Sequence, residues 1–88
     1  MLYTLSQAHY DPAELQQILA QLRPEDALVL WQNGVLQAVR NPQFFANLPN
    51  VFALENDVNA RGLRLEVETI SLEKLVQLTE QFHPQLAL

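Results

Sequence analysis

The sequence predicts a small α/β protein in which a mainly parallel sheet is covered by helices. Short apolar runs recur along the chain, and the clearest are "ALVLW" (Ala27–Trp31) and "VFAL" (Val51–Leu54). Unbroken apolar runs of this length are typical of strands that are buried on both faces. A helical signal follows each run, and alternation of strands with helices favours parallel pairing. At 88 residues the chain has the length of one domain, residues 1–88.

The first strand and the first helix have distinct signals. "MLYTL" at the start of the sequence is a short apolar run, and the polar stretch "SQAHY" follows it. Asp11 is a suitable N-cap, Pro12 suits the first helical turn, and Pro24 ends the helix. One apolar stripe at helical spacing supports this helix, formed by Leu15, Ile18, Leu19 and Leu22.

The middle of the chain predicts the second and third strands with short helices between them. Ala27–Trp31 is the second strand, and Asn33-Gly34 marks a turn after it. The residues from Val35 to Arg40 then predict one or two helical turns. A further short helix is expected from Pro42, before the third strand at 51–54.

The last third of the chain predicts a helix, a strand and a final helix. "ENDVNAR" fits a short helix that ends at Gly62, because glycine is the usual residue for a left-handed cap. The segment 63–70 contains a fourth strand. Ser71 caps a last helix that stops before Pro84. Its expected buried face consists of Leu72, Leu75, Val76, Thr79 and Phe82.

Composition excludes several classes of function. The net charge is −5, and the five basic residues are scattered, so neither direct nucleic-acid binding nor an electrostatic membrane anchor is expected. The chain has no cysteine, which excludes disulfides, thiolate metal sites and a cysteine nucleophile. There is no signal-peptide pattern and no run long enough to span a bilayer, so we expect a cytoplasmic protein.

Polar residues are concentrated directly after two predicted strands. "ENDVNARG" follows the third strand and "QNG" follows the second, so both lie at the carboxyl edge of a parallel sheet, where functional groups gather. Asp57 and Arg61 are spaced to face each other on one helical turn. They form either a surface ion pair of small energy or a polar element that contacts a partner or a ligand.

Three aromatic residues are candidates for a subunit interface. Trp31 ends a core strand, where it either packs in the core or anchors a partner. Phe44 and Phe45 are adjacent, so on a helix they do not both point at one core. One of them is therefore expected at an edge of the molecule.

The residues do not form a catalytic or metal-binding pattern. His9 and His83 lack a second ligand at metal spacing, and the two serines lack a nucleophile elbow. Only two glycines are present, so there is no glycine-rich phosphate loop. We expect no catalytic residue, no metal and no cofactor.

Four segments in order resemble the TusB family of DsrH-like sulfur-relay proteins. These are "MLYTLSQAHY", "LVLWQNGVLQAV", "VFALENDVNARGL" and "LEKLVQLTEQFHPQ", which together cover nearly the whole chain. The most specific pieces are the acid-x-x-Ala-Arg-Gly motif from Asp57 to Gly62 and the last helix with its His-Pro. The chain departs from the family pattern at Asn33, where Asp is frequent, at its end, where tryptophan is frequent, and in a shorter stretch at 65–70.

The resemblance implies a three-layer DsrE-like fold and a subunit role. TusB-like chains assemble with TusC-like and TusD-like subunits, typically two copies of each. The complex passes persulfide sulfur from a TusA-like donor towards a TusE-like acceptor, and the sulfur ends in the 2-thio group of the tRNA wobble uridine. The relay cysteine belongs to the TusD-like subunit, so a cysteine-free chain is expected to be non-catalytic.

The leading hypothesis is therefore a structural subunit of a sulfur-relay complex. Its interface candidates are Trp31, Asn33, Gly34, Phe44, Phe45, Asp57, Arg61 and Gly62. A second hypothesis is a stand-alone module that binds a ligand at the sheet edge through Asp57, Arg61 and Asn33. A third is a small hydrolase that uses His9.

Overall fold

The computed structural model describes all 88 residues and contains five strands and four α-helices. The strands are β1 (Leu2–Leu5), β2 (Ala27–Leu30), β3 (Val51–Leu54), β4 (Glu68–Ile70) and β5 (Gln85–Ala87). The helices are α1 (Pro12–Ala20), α2 (Leu36–Arg40), α3 (Glu55–Ala60) and α4 (Leu72–Gln81). Two 3-10 turns, Gln32–Val35 and Pro42–Phe44, flank α2. The second of these is a 3-10 turn of three residues, in place of the short helix that was expected over "PQFFANL" from Pro42.

All five strands pair in parallel, in the order β4-β3-β2-β1-β5. The predicted parallel sheet is therefore confirmed. The number of strands was wrong, because β5 was not predicted. It consists of three exposed residues after Pro84 and pairs with β1 at the edge of the sheet. An exposed edge strand of this length has no buried apolar run, which was the signal used to find the others.

Each face of the sheet has its own core, which makes the fold three-layered. Side chains alternate along β2: Leu28 and Leu30 belong to the core shared with α1, α2 and α3, whereas Ala27 and Val29 belong to the core under α4. All four are buried. The unbroken apolar run of this strand thus reflects helices on both sides.

The predicted helix starts are confirmed at α1 and α4. The Asp11 carboxylate accepts the backbone N–H of Glu14 at 3.1 Å, and Pro12 occupies the first turn. At α4 the hydroxyl oxygen of Ser71 accepts the backbone N–H of Lys74, also at 3.1 Å. Such caps satisfy backbone donors that a helix cannot satisfy internally, and each contributes about 1 kcal/mol.

The predicted buried face of α4 was partly wrong. Leu75 and Leu78 are buried, but Leu72 and Val76 are 55% and 52% exposed. Only α4 contributes helical residues to the core on its side of the sheet. No second helix therefore covers the flank of α4 on which Leu72 and Val76 lie, one turn apart.

The amino ends of β2 and β3 are joined by side chains at the edge opposite the polar segments. The Asn50 side-chain amide donates to the carbonyls of Pro24 and Asp26, at 2.8 and 3.1 Å. The Asp26 carboxylate accepts the backbone N–H of Arg23 at 3.0 Å and also lies 3.0 Å from the N-terminal ammonium. Together these contacts hold the pKa of Asp26 below its usual value.

The two glycines are required for different physical reasons. Gly62 follows α3 with a φ of +61°, which is the left-handed conformation predicted for it, and its surroundings are open. Gly34 is buried, and a Cβ added there would lie 1.9 Å from the carbonyl oxygen of Leu5. Gly34 is therefore required by the close approach of two backbones.

Replacing each glycine by alanine should separate these two reasons. Gly34→Ala should reduce the free energy of unfolding by about 3 kcal/mol, the upper part of the range for overpacking, because the new Cβ meets a rigid backbone. Gly62→Ala should cost only about 1 kcal/mol, the conformational penalty of a left-handed alanine. Urea unfolding of both variants measures this. Equal losses would contradict the packing explanation for Gly34.

Candidate functional site

The carboxyl ends of β1, β2 and β3 meet at one edge of the sheet. The strands end at Leu5, Leu30 and Leu54, and the polar segments "QNG" and "ENDVNARG" follow β2 and β3 there, as expected from parallel pairing. Trp31 continues beyond β2, and its backbone N–H donates to the carbonyl of Leu5 at 3.0 Å. This edge is the candidate functional site.

Asp57 supports the strained exit from β2. Gln32 has a φ of +51°, which is uncommon for a residue with a side chain. Its backbone N–H donates to Oδ2 of Asp57 at 2.6 Å. A charge-assisted bond of this length offsets the conformational cost of Gln32. The sequence showed Asp57 as a partner of Arg61 but contained no signal for this contact across 25 positions.

Arg61 connects α3 to the same exit. Its Nη2 donates to Oδ1 of Asn33 at 2.8 Å, and its Nη1 donates to the backbone carbonyl of Asp57 at 3.0 Å. The predicted ion pair exists, with Nη1 of Arg61 3.6 Å from Oδ1 of Asp57. Both side chains remain about a quarter exposed, at 28% and 23%. Arg61 therefore makes its shortest bond to Asn33, and the ion pair is secondary.

Asn33, Asp57 and Arg61 form a cluster whose polar atoms are bonded within the chain. We call these three residues the edge cluster. Because the amide oxygen of Asn33, both oxygens of Asp57 and both terminal nitrogens of Arg61 already have partners, few atoms are free for a small ligand. The geometry favours a fixed surface over a ligand-binding pocket. Gly34 and Gly62 flank the cluster in sequence and permit its backbone course.

Trp31 is half-buried, so that one part of its side chain packs in the core and another part is open to a groove. It packs against the core under α4 and also lines a groove of about 430 Å³ together with Val76 and Thr79 of α4 and residues of β1 and β5. Its indole Nε1 is buried and has no hydrogen-bond acceptor. Trp31 therefore lies at the boundary between the core and an uncovered part of the sheet.

Phe44 and Phe45 lie outside the hydrogen-bonded edge cluster. Phe45 is 3% exposed and belongs to the core on the α1 side. Phe44 is half-buried and lines a shallow groove with Leu19 and Leu48. Phe44 also packs against the same core as Phe45, so the expectation that the two do not share one core was wrong. Their role at an interface stays a prediction.

A second polar group follows β1. The carbonyl of Ala8 accepts Nε2 of Gln37 at 2.6 Å and Nη1 of Arg40 at 2.7 Å. The same Nη1 lies 3.2 Å from Nδ1 of His9. His9 thus makes its hydrogen bond to a cation and not to a hydroxyl nucleophile, which does not favour the hydrolase hypothesis. No pattern in the sequence predicts this group, because His9 and Arg40 are 31 positions apart.

The structure shows neither a metal-type cluster nor a membrane-length helix. No three His, Asp or Glu side chains converge as ligands of a metal ion. No helix is both long enough and apolar enough to cross a bilayer.

Comparison with known proteins agrees with this architecture. The model of the family described as "DsrH like protein" matches residues 8–85. An uncharacterised protein of Haemophilus influenzae is 41% identical over the full length of both chains. The protein named TusB of Cronobacter sakazakii is 38% identical over 99% of each chain, and that of Yersinia pestis is 36% identical over the same share.

The fold also matches a solved structure. The solution structure of protein Tm0979 from Thermotoga maritima superimposes with a TM-score of 0.65 and 29% identity, over 91% of this chain and 92% of that one. The five-stranded parallel sheet with helices on both faces defines a small α/β protein of the DsrE-like type. The chain belongs to the DsrH-like family, which includes the TusB proteins. Membership supports a role related to sulfur relay.

Double-mutant cycles should rank the contacts of Arg61. The cycle of Asn33→Ala with Arg61→Ala should give a coupling free energy of about 1 kcal/mol, because a charged hydrogen bond of 2.8 Å is lost. The cycle of Asp57→Asn with Arg61→Ala should give at most ~0.5 kcal/mol, because a partly exposed ion pair contributes little. Urea unfolding of the single and double variants measures both. The reverse ranking would show that the ion pair dominates.

Proposed function

We propose that this protein is a non-catalytic subunit of a TusBCD-like sulfur-relay complex in the cytoplasm. The complex passes persulfide sulfur towards 2-thiolation of the tRNA wobble uridine. The observation that carries the proposal is similarity to TusB proteins over 99% of the chain, combined with a sequence that contains no cysteine. The protein then supports chemistry that takes place on a partner.

The lack of cysteine supports a role in which the sulfur chemistry takes place on a partner. Sulfur is transferred between proteins when a thiolate attacks a sulfur atom held by another cysteine. No residue of this chain forms a thiolate or carries a persulfide. We propose that TusC-like and TusD-like subunits, two copies of each, complete the complex, with the relay cysteine on the TusD-like chain. A TusA-like donor and a TusE-like acceptor are indirect partners.

The surface of the molecule is consistent with a subunit role. The edge cluster presents a fixed polar edge, since Arg61 is bonded to both Asn33 and Asp57. Leu72 and Val76, one turn apart on α4, each expose more than half of their surface, and Val76 also lines the groove next to Trp31. Adjoining exposed apolar residues indicate a contact with another protein more than scattered ones do. With a net charge of −5, we propose no direct contact with the tRNA.

Assembly should depend on Arg61. Co-expression of this chain with its TusC-like and TusD-like relatives should yield a stable hetero-oligomer, measured by light scattering. Arg61→Ala should weaken association at least tenfold, about 1.4 kcal/mol. The physical reason is that Asn33 and its turn lose their fixed position. Arg64→Ala is the matched control, because Arg64 is exposed and makes no side-chain hydrogen bond or ion pair. If the chain stays a monomer of 10.1 kDa in the presence of both relatives, the proposal is contradicted.

Sulfur should appear on the partner and not on this chain. After incubation of the complex with a persulfide donor, intact-mass spectrometry should show an added sulfur on the cysteine-bearing subunit. The mass of this chain should stay unchanged, because it offers no thiolate. Replacement of the partner's cysteine by serine should abolish the adduct. A sulfur adduct on this chain would refute the non-catalytic role.

A further inference from the structure

The guanidinium of Arg40 is held in one place by the loop that follows β1. Its Nη1 donates to the carbonyl of Ala8 at 2.7 Å. That carbonyl also accepts Nε2 of Gln37 at 2.6 Å, and Gln37 is only 2% exposed. A buried amide therefore fixes the carbonyl, and the carbonyl fixes the exposed cation at the end of α2.

The contact between Arg40 and His9 determines which ring nitrogen of His9 faces outward as a donor. Arginine only donates hydrogen bonds, so Nδ1 of His9, 3.2 Å from Nη1, acts as the acceptor. The ring proton is then on Nε2, which has no partner within the chain. Nε and Nη2 of Arg40 also have none. The pair thus presents several N–H donors and a positive charge on an exposed surface.

The charge of Arg40 is not neutralised by this chain. The structure contains two ion pairs, Asp57–Arg61 and the N-terminal ammonium with Asp26, and neither involves Arg40. Asp11, the carboxylate closest to His9 in sequence, caps α1. Arg64 and Lys74 also lack a counter-ion, but of these three cations only Arg40 is held in place by a backbone carbonyl. Such a cation, next to a second donor, is suited to an anion.

We infer that His9 and Arg40 form an anion site that receives the thiolate or persulfide anion of a partner subunit's cysteine. The inference rests on the proposed function, which requires such a sulfur anion on another chain. Because the net charge of this protein is −5, its surface repels an approaching anion. The positive charge of Arg40 offsets this repulsion locally, next to the loop that follows β1. Positive charge next to a cysteine increases its thiolate fraction and therefore its reactivity. The chain would activate sulfur chemistry that it does not perform.

The test measures the partner's cysteine in the assembled complex. The rate of its alkylation by iodoacetamide at pH 7 reports the thiolate fraction, and the rate at pH 9.5 corrects for access. Arg40→Gln should lower the corrected rate about fivefold, the effect of one charge at contact distance in water-exposed surroundings. Arg40→Lys, which keeps the positive charge, should retain most of the wild-type alkylation rate. Arg64→Gln removes a cation that makes no side-chain bond and should have no effect.

The possible results separate the inference from the proposed function. If the Arg40→Gln complex assembles and its cysteine reacts as in the wild type, the inference is overturned and the proposed function stands. If the wild-type chain does not assemble with its relatives, both fall. Should Arg40→Gln fail to fold, His9→Ala decides, since it removes the Nε2 donor and leaves the bond from Arg40 to Ala8 in place. It should lower the corrected rate more than twofold, and an unchanged rate would overturn the inference.

Discussion

The carbonyl group of Leu5 determines how the chain leaves the sheet. It accepts the backbone N–H of Trp31 and lies against Gly34, so the segment after β2 must turn within three residues. That turn places Gln32 in a left-handed conformation and directs its N–H to Asp57. The end of β1, the exit from β2 and the start of α3 therefore depend on one close backbone contact, which only glycine permits.

Sequence patterns predicted four of the five strands, including the partly exposed β4, and failed at the fully exposed edge strand β5. The runs at 27–31 and 51–54 gave two central strands, and Asp11 and Ser71 gave the correct helix starts. β5 was missed because its three residues are exposed. Val76 was assigned to the core because helical spacing identifies an apolar flank, whereas its exposure depends on which neighbouring elements exist.

The candidate site shows the same limit at the level of single contacts. The spacing of Asp57 and Arg61 predicted their ion pair, because four positions make one helical turn. The shorter bonds of these residues, to Gln32 and Asn33, cross 25 and 28 positions. Contacts between distant segments follow from sheet order and from the course of a turn. Neither is encoded in local composition, and the same holds for Arg40 and His9.

The two short strands at the margins of the sheet also bear on how the protein avoids unwanted association. β4 and β5 are each three residues long, and each has one side with unpaired backbone groups. Open edges of this kind are templates for aggregation, and natural proteins protect them by shortness and by charge. Glu68 supplies a charge on β4, whereas β5 carries none. A change that extends β5 by a few apolar residues would therefore give the sheet a longer uncharged edge, on which strands of other copies could pair and aggregate.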